Sequence, residues 1–326
     1  MILSRVRGAE SNYMSPSVED ARLEQVVQRV EPGSKLLRTW ELKGGVSAQV
    51  TALEAELPGG ATRKMVVRRH GAVDLLHNPN VAADEFKLMQ MLYSAGLAVP
   101  APYYLDQSGE IFPTPYVVIK FVEGQVDFAP SKLSDAINQL AAHLARIHRA
   151  DCSKHDLSFL PNQAAKYTTK LSERPAMLDD SLEEGRIRDA LSAAWPLPEP
   201  NASVLLHGDY WPGNTWWRDG RLVAVIDWED AQIGDPLGDL ANSRLEMLWA
   251  FGVDAMHSFT EQYASMTDVD FANLPYWDLC AALRPVFKIA EWAGDAVREQ
   301  EMRKGHRLFV AQAFEALSTR SGSHSA

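Results

Sequence analysis

The sequence predicts an α+β fold in two lobes: a small antiparallel-sheet lobe with one inserted helix over residues 1–122, and a larger, mainly helical lobe over 123–326. Three observations lead there. Short apolar runs bounded by Gly and Pro turns crowd residues 36–122. After Val122 the apolar spacing becomes helical. Charge divides at the same place, with 13 Lys+Arg against 13 Asp+Glu before it and 19 against 30 after it. A chain of 326 residues can bury a core in each part without disulfides or metal.

The elements follow in order. Residues 17–30 read as a helix with Val18, Leu23, Val26, Val27 and Val30 apolar, stopped by Pro32-Gly33. Strands are expected at 36–42 and 46–57 around Lys43-Gly44-Gly45. Pro58-Gly59-Gly60 then turns the chain into a third strand at 65–69. A helix at 82–94 ends at Gly96, and strands at 103–106 and 116–122 complete the lobe. Glu123-Gly124 is the expected hinge, and a cleft between lobes is a common place for a ligand. Beyond it, an amphipathic helix at 131–150 takes Ser131 as N-cap. A second helix, 182–195, closes at Pro196. Strands at 214–217 and 222–226 join through Asp219-Gly220. Helices resume at 237–249, 254–265, 275–293 and 299–317, before a small polar tail expected to fray.

The net charge of −11 argues against a nucleic-acid partner, which asks for a basic surface. No apolar run is long enough for a membrane span. The first ten residues carry arginines but no apolar stretch of a secretory signal, and two cysteines make neither a disulfide framework nor a zinc cluster. A cytoplasmic location is the expectation. The oligomeric state is left open.

The densest polar cluster is His207-Gly208-Asp209-Tyr210-Trp211-Pro212-Gly213-Asn214, on a loop leaving the apolar Val204-Leu205-Leu206. A second carboxylate, Asp227, ends the apolar run Val225-Ile226, and Gly234-Asp235-Pro236-Leu237-Gly238-Asp239 then opens a helix. One loop carboxylate, an Asn and a strand-end carboxylate are what phosphoryl transfer asks of a protein. The first can accept a hydroxyl proton, and hard oxygen donors suit Mg²⁺ on the phosphates.

These residues resemble the catalytic and metal-binding motifs of the aminoglycoside phosphotransferases, relatives of protein kinases in a wider group with choline and homoserine kinases. The resemblance covers most of the chain and implies a bilobal, protein-kinase-like fold. It implies that Asp209 is the catalytic base, that Asn214 and Asp227 hold Mg²⁺, and that His207 braces the loop. Asp239 resembles the Asp that supports this loop from the following helix, although a carboxylate answering a helix dipole reads equally well.

In the first lobe, Gly44-Gly45-Val46-Ser47 resembles the loop over the nucleotide phosphates, with Gly45 and Ser47 as candidate contacts, while Gly-Gly is also a common hairpin turn. Met65-Val66-Val67-Arg68 stands where the family carries a lysine, so Arg68 replaces it and can still grip phosphate. A register slip would give that role to Arg69, which is otherwise expected to be solvated. Glu85, on a helical face with Leu88, Met89 and Leu92, is the expected partner, with Asp84 the alternative. Lys120 and Val122 close the segment that in this family offers backbone to the purine base.

The resemblance implies ATP or GTP as donor and a small-molecule hydroxyl as acceptor. Acids (Glu229, Asp230, Glu246, Asp278, Glu291, Asp295) and tryptophans (Trp211, Trp216, Trp249, Trp277, Trp292) in the second lobe favour a cationic acceptor such as an aminoglycoside-like antibiotic. Trp211 and Glu229 adjoin the motif residues and are the candidate acceptor contacts. The competing readings are a metabolic kinase for choline, homoserine or a sugar, and a nucleotide-binding module without transfer activity.

Overall fold

A computed structural model describes residues 17–42, 48–152 and 155–323, with side chains as far as 319. The described residues fall into two compact units. One runs to Ala83 and includes Pro102–Phe121; the other comprises Asp84–Ala101 and the chain from Val122 on.

The first unit opens with α1 (Val18–Val30). Ser17 accepts from the Asp20 N–H while Asp20 returns a bond to the Ser17 N–H, so the first turn is closed reciprocally. Leu23, Val26 and Val27 recur at helical spacing and bury one face with Leu53, Met65 and Val67 of the sheet. The strands are β1 (Lys35–Glu41), β2 (Ala48–Glu56), β3 (Thr62–His70), β4 (Pro102–Asp106) and β5 (Tyr116–Lys120). They form one antiparallel sheet in the order β1-β2-β3-β5-β4. A short helix, α2 (Ala72–His77), leaves β3. The sequence gives no sign of it, because six residues are too few to show a period.

The second unit holds α3 (Val81–Ser94) from Asp84 on, and its Leu88, Met91 and Leu92 lie in the main helical core. That core gathers α4 (Leu133–His148), α7 (Pro236–Phe251), α8 (Val253–Ser265) and α9 (Leu274–Ala282). Two further helices, α5 (Gln163–Ser172) and α6 (Glu184–Ala194), precede the strands β6 (Val204–Leu206), β7 (Thr215–Arg218), β8 (Arg221–Val225) and β9 (Gln232–Gly234). β6 pairs with β9, and β7 with β8. The chain closes with α10 (Ile289–Ala293) and α11 (Ala296–Ser323). Both cysteines are free thiols, Cys152 half-buried and Cys280 buried. Among the described residues no helix is long and apolar enough to cross a membrane.

Several boundaries differ from the sequence reading. Backbone at Lys132 is still extended, so Lys132 rather than Ser131 is the residue before α4. Glu183, at φ 56°, breaks the expected helix at 182–195 into a 3₁₀ turn and α6. The expected helix at 275–293 divides into α9 and α10, because Pro285 offers no N–H to the ladder and disfavours helical backbone at Arg284. Asn214 belongs to a 3₁₀ turn, Pro212–Asn214, instead of opening β7.

Candidate active site

The site is built on β6. Its buried apolar chain ends at His207, and the polar loop begins where the ladder with β9 stops. Asp239, in the first turn of α7 and wholly buried, holds the loop from below. Its Oδ2 accepts the His207 N–H at 2.6 Å and its Oδ1 the Gly208 N–H at 2.8 Å, while His148 Nε2 lies 3.3 Å from Oδ2. Burial works to raise this carboxyl. The His148 hydrogen bond and charge, with His207 and Gly208, overcome it and hold the group below the usual carboxylate range.

The His207 ring fixes the next step of the loop. Nδ1 accepts the Asp209 N–H at 3.2 Å, which leaves the ring proton on Nε2 to be donated to the Ile226 carbonyl at 3.0 Å. Burial keeps this imidazole below its ordinary value, hence neutral. Gly208 is required here: its φ is +83°, and a Cβ would stand 2.0 Å from the Asp230 carbonyl oxygen.

Asp209 is pinned at both oxygens. Asn214 Nδ2 donates to its Oδ2 at 3.0 Å and to its backbone carbonyl at 2.9 Å. Arg284 Nη2 donates to Oδ1 at 2.6 Å. Those bonds use the amide nitrogen of Asn214 and leave its Oδ1, the atom able to ligate a hard cation, outside them. Ile226 N donates to the Asn214 carbonyl at 2.9 Å, so Asp227 follows directly on the strand that the Asn214 turn holds. Asp227 adopts φ 67°, a left-handed conformation that Asp tolerates better than most residues. The Trp211 ring covers Gly213, where a Cβ would meet it at 2.2 Å.

Beside Asp209 lies a cavity of about 590 Å³, contained within the second unit. Trp211, Trp249 and Trp292 supply its apolar surface. Its charged lining is Lys166, Lys170, Arg284, Lys288 and Arg298 against Asp209, Asp230 and Glu246. Burial, reinforced by Asp209 and only partly offset by Arg284, pushes the Glu246 carboxyl up to about 7.

The structure brings His207, Asp209, Asn214 and Asp239 into one hydrogen-bonded set, with Asp227 alongside. Of the expected acceptor contacts, Trp211 lines the cavity; Glu229 is exposed and does not, whereas its neighbour Asp230 does. Asp278 is instead paired with Arg244 at 3.0 and 3.2 Å, and Trp277 is buried with its N–H on Asp235. Gly45 and Ser47 lie outside the described residues. Arg68 is half-buried on β3, opposite Val117 of β5, and Lys120 is exposed at the end of β5, opposite Met65. Glu85 is buried on α3, and Val122 opens the second unit's long segment. Arg69 is not solvated as the sequence suggested: it pairs with Glu19 at 2.5 Å and stacks over Phe112 at 4.2 Å. Arg284 was not foreseen. It is far from Asp209 in sequence, and the expected helix at 275–293 runs straight through it, so nothing local marks it as a partner.

A profile of the phosphotransferase enzyme family matches residues 41–285, three quarters of the chain. The chain belongs to that family. The chain is 27% identical over 262 residues to the rat protein acyl-CoA dehydrogenase family member 11, covering 69% of this chain and 32% of that one. It therefore spans about a third of the length of those relatives. It is 26% identical over 181 residues to the hygromycin-B 4-O-kinase of Escherichia coli, covering 50% of this chain and 53% of the kinase. Among solved structures, an aminoglycoside phosphotransferase homologue from Ralstonia eutropha superposes with a TM-score of 0.63 at 19% identity, over 92% of this chain and 98% of the other. A thermostable mutant of aminoglycoside phosphotransferase APH(4)-Ia, solved with AMP-PNP and hygromycin B, superposes with a TM-score of 0.61 at 17% identity, over 89% and 97%. At these identities the structural likeness establishes a shared, kinase-like fold.

Proposed function

We propose that this phosphotransferase moves the γ-phosphoryl group of ATP or GTP to a hydroxyl of a small molecule, with Asp209 as the general base. The observation that carries the reading is the Asp209 carboxylate, fixed by Asn214 and Arg284 at the wall of a cavity large enough for such an acceptor. Family membership supports it, as do the AMP-PNP and hygromycin B bound to a structural neighbour.

In this reading each Asp209 oxygen keeps a lone pair beyond its hydrogen bond and can accept the acceptor's hydroxyl proton. The hydroxyl oxygen forms the new bond to the γ-phosphorus, the bond to the nucleoside diphosphate breaks, and the proton passes through Asp209 to solvent. Asn214 Oδ1 and the Asp227 carboxylate are a donor set that suits Mg²⁺. Magnesium would supply charge neutralisation on the phosphates. Arg68 and Lys120, with Glu85, Val122, Gly45 and Ser47, are the positions assigned to the nucleotide, and Trp211 to the acceptor.

The test is ADP release by Asp209→Asn over a panel of hydroxyl acceptors. Turnover should fall by about 10²–10⁴-fold, while the nucleotide Kd stays near wild type. Wild-type turnover in the variant refutes the base role.

A further inference from the structure

We propose that the cavity beside Asp209 admits a hydroxylated anion, a carboxylate or phosphate monoester on an apolar body, as the phosphoryl acceptor. The inference rests on the reading of Asp209 as base and deepens it. The acid excess of the second lobe, which in the sequence favours a cationic acceptor, is not what lines this cavity. Five cations line it against three acids. Arg284 and Asp209 are engaged with each other, which leaves four cations against two acids. One of those two acids, Glu246, is half-buried beside Arg284.

The four other cations are free to act on a ligand. Among the described residues Lys166, Lys170, Lys288 and Arg298 form no ion pair. Lys166 and Lys170 stand one helical turn apart on α5 and share a face. Lys170 is half-buried against the Tyr167 ring, 5.7 Å from its centroid, and burial lowers its ammonium from the ordinary value. An ammonium in such a place gains from an anion brought beside it. Lys288 precedes α10 and Arg298 lies in the first turn of α11, so the positive groups come from three separate elements around one space. Many of the lobe's acids are spent elsewhere: Asp278 on Arg244, Glu184 on Arg188, Asp239 on the loop. A polycationic acceptor would meet like charge on most of this wall. An anion meets complementary charge, and Trp211, Trp249 and Trp292 offer its carbon skeleton a surface.

The experiment needs neither nucleotide nor turnover. The native protein is titrated with 1-anilinonaphthalene-8-sulfonate and, separately, with the neutral N-phenyl-1-naphthylamine, followed by dye fluorescence. The same titrations are run on a triple variant, Lys166→Gln, Lys170→Gln and Lys288→Gln. A double variant, Lys166→Gln with Lys288→Gln, touches only exposed side chains and guards against a folding defect. The sulfonate should bind saturably, and the triple variant should weaken it roughly tenfold, with the neutral dye unaffected. The double variant should show the same loss in smaller degree. Phenyllactate or phenyl phosphate should displace the sulfonate, the stronger competitor showing whether carboxylate or phosphate is preferred, and kanamycin should not. Absence of sulfonate binding, unchanged binding in both variants, or kanamycin as the best competitor overturns the proposal. Asp209→Asn, the variant that tests transfer, should bind the sulfonate at least as well as wild type, so failure of one reading is separable from failure of the other.

Discussion

Asp239 has no solvent contact, yet it accepts from two backbone N–H groups and faces His148. An amide there would turn a donor toward groups that already donate. Asp239→Asn should therefore lose about 3 kcal/mol in urea unfolding and lower kcat far more than nucleotide affinity. Glu246 gives a second check through pH. Its ordinary value is near 4.5 and its folded value about 7. Between these the folded chain keeps a proton that the unfolded chain has released, so this residue costs stability as pH rises from 4.5 to 7 and no further above that. Glu246→Gln should raise Tm at pH 8 and leave it nearly unchanged near pH 4.5; the opposite order in a melting series would refute the assignment. That Asp209 and Asn214 stand together was legible because both lie in one short loop; the bond between them was not. Asp239 reaches the same loop from α7 and Arg284 from the turn after α9, and only tertiary packing reveals the second.

The β6 loop, the β7–β8 hairpin and α7 could be placed from the sequence because each carries local signals: an apolar run into a polar cluster, Asp219-Gly220 at positive φ, and Pro236 at a helix start. α5 was missed. Ala164, Tyr167 and Leu171 recur at helical spacing, but ten residues make a short stripe, and the only wholly buried side chain is the polar Gln163, which holds the Asp235 N–H at 3.0 Å. So brief a stripe is easily passed over, yet the helix supplies two of the cavity's lysines. α1 illustrates the opposite case, where a cap and an apolar face agree. Ser17→Ala removes the acceptor for the Asp20 N–H and should cost about 1 kcal/mol, read as faster amide exchange at the start of α1 with the β7–β8 hairpin unaffected.

At the scale of the molecule, a Mg²⁺–nucleotide complex that binds only the folded chain raises Tm by mass action. At one hundred times Kd the gain is about 2.7 kcal/mol. Asp227→Ala should lose most of that shift while the ligand-free Tm drops less, and an undiminished shift would remove Asp227 from the metal set. The overall charge of −11 was legible in the sequence, but where each acid is spent was not; folding pairs many of them and leaves lysines around the cavity. The two thiols differ as well. Burial pushes both thiols up, but Cys280 has no exposed surface, whereas Cys152 is only half-buried and lines a different pocket with Leu157, Val204 and Ile233. A maleimide fluorophore should thus attach at one position, away from the tryptophan-lined space. The unaltered polypeptide carries a ready handle for single-molecule optical work, with no engineered cysteine.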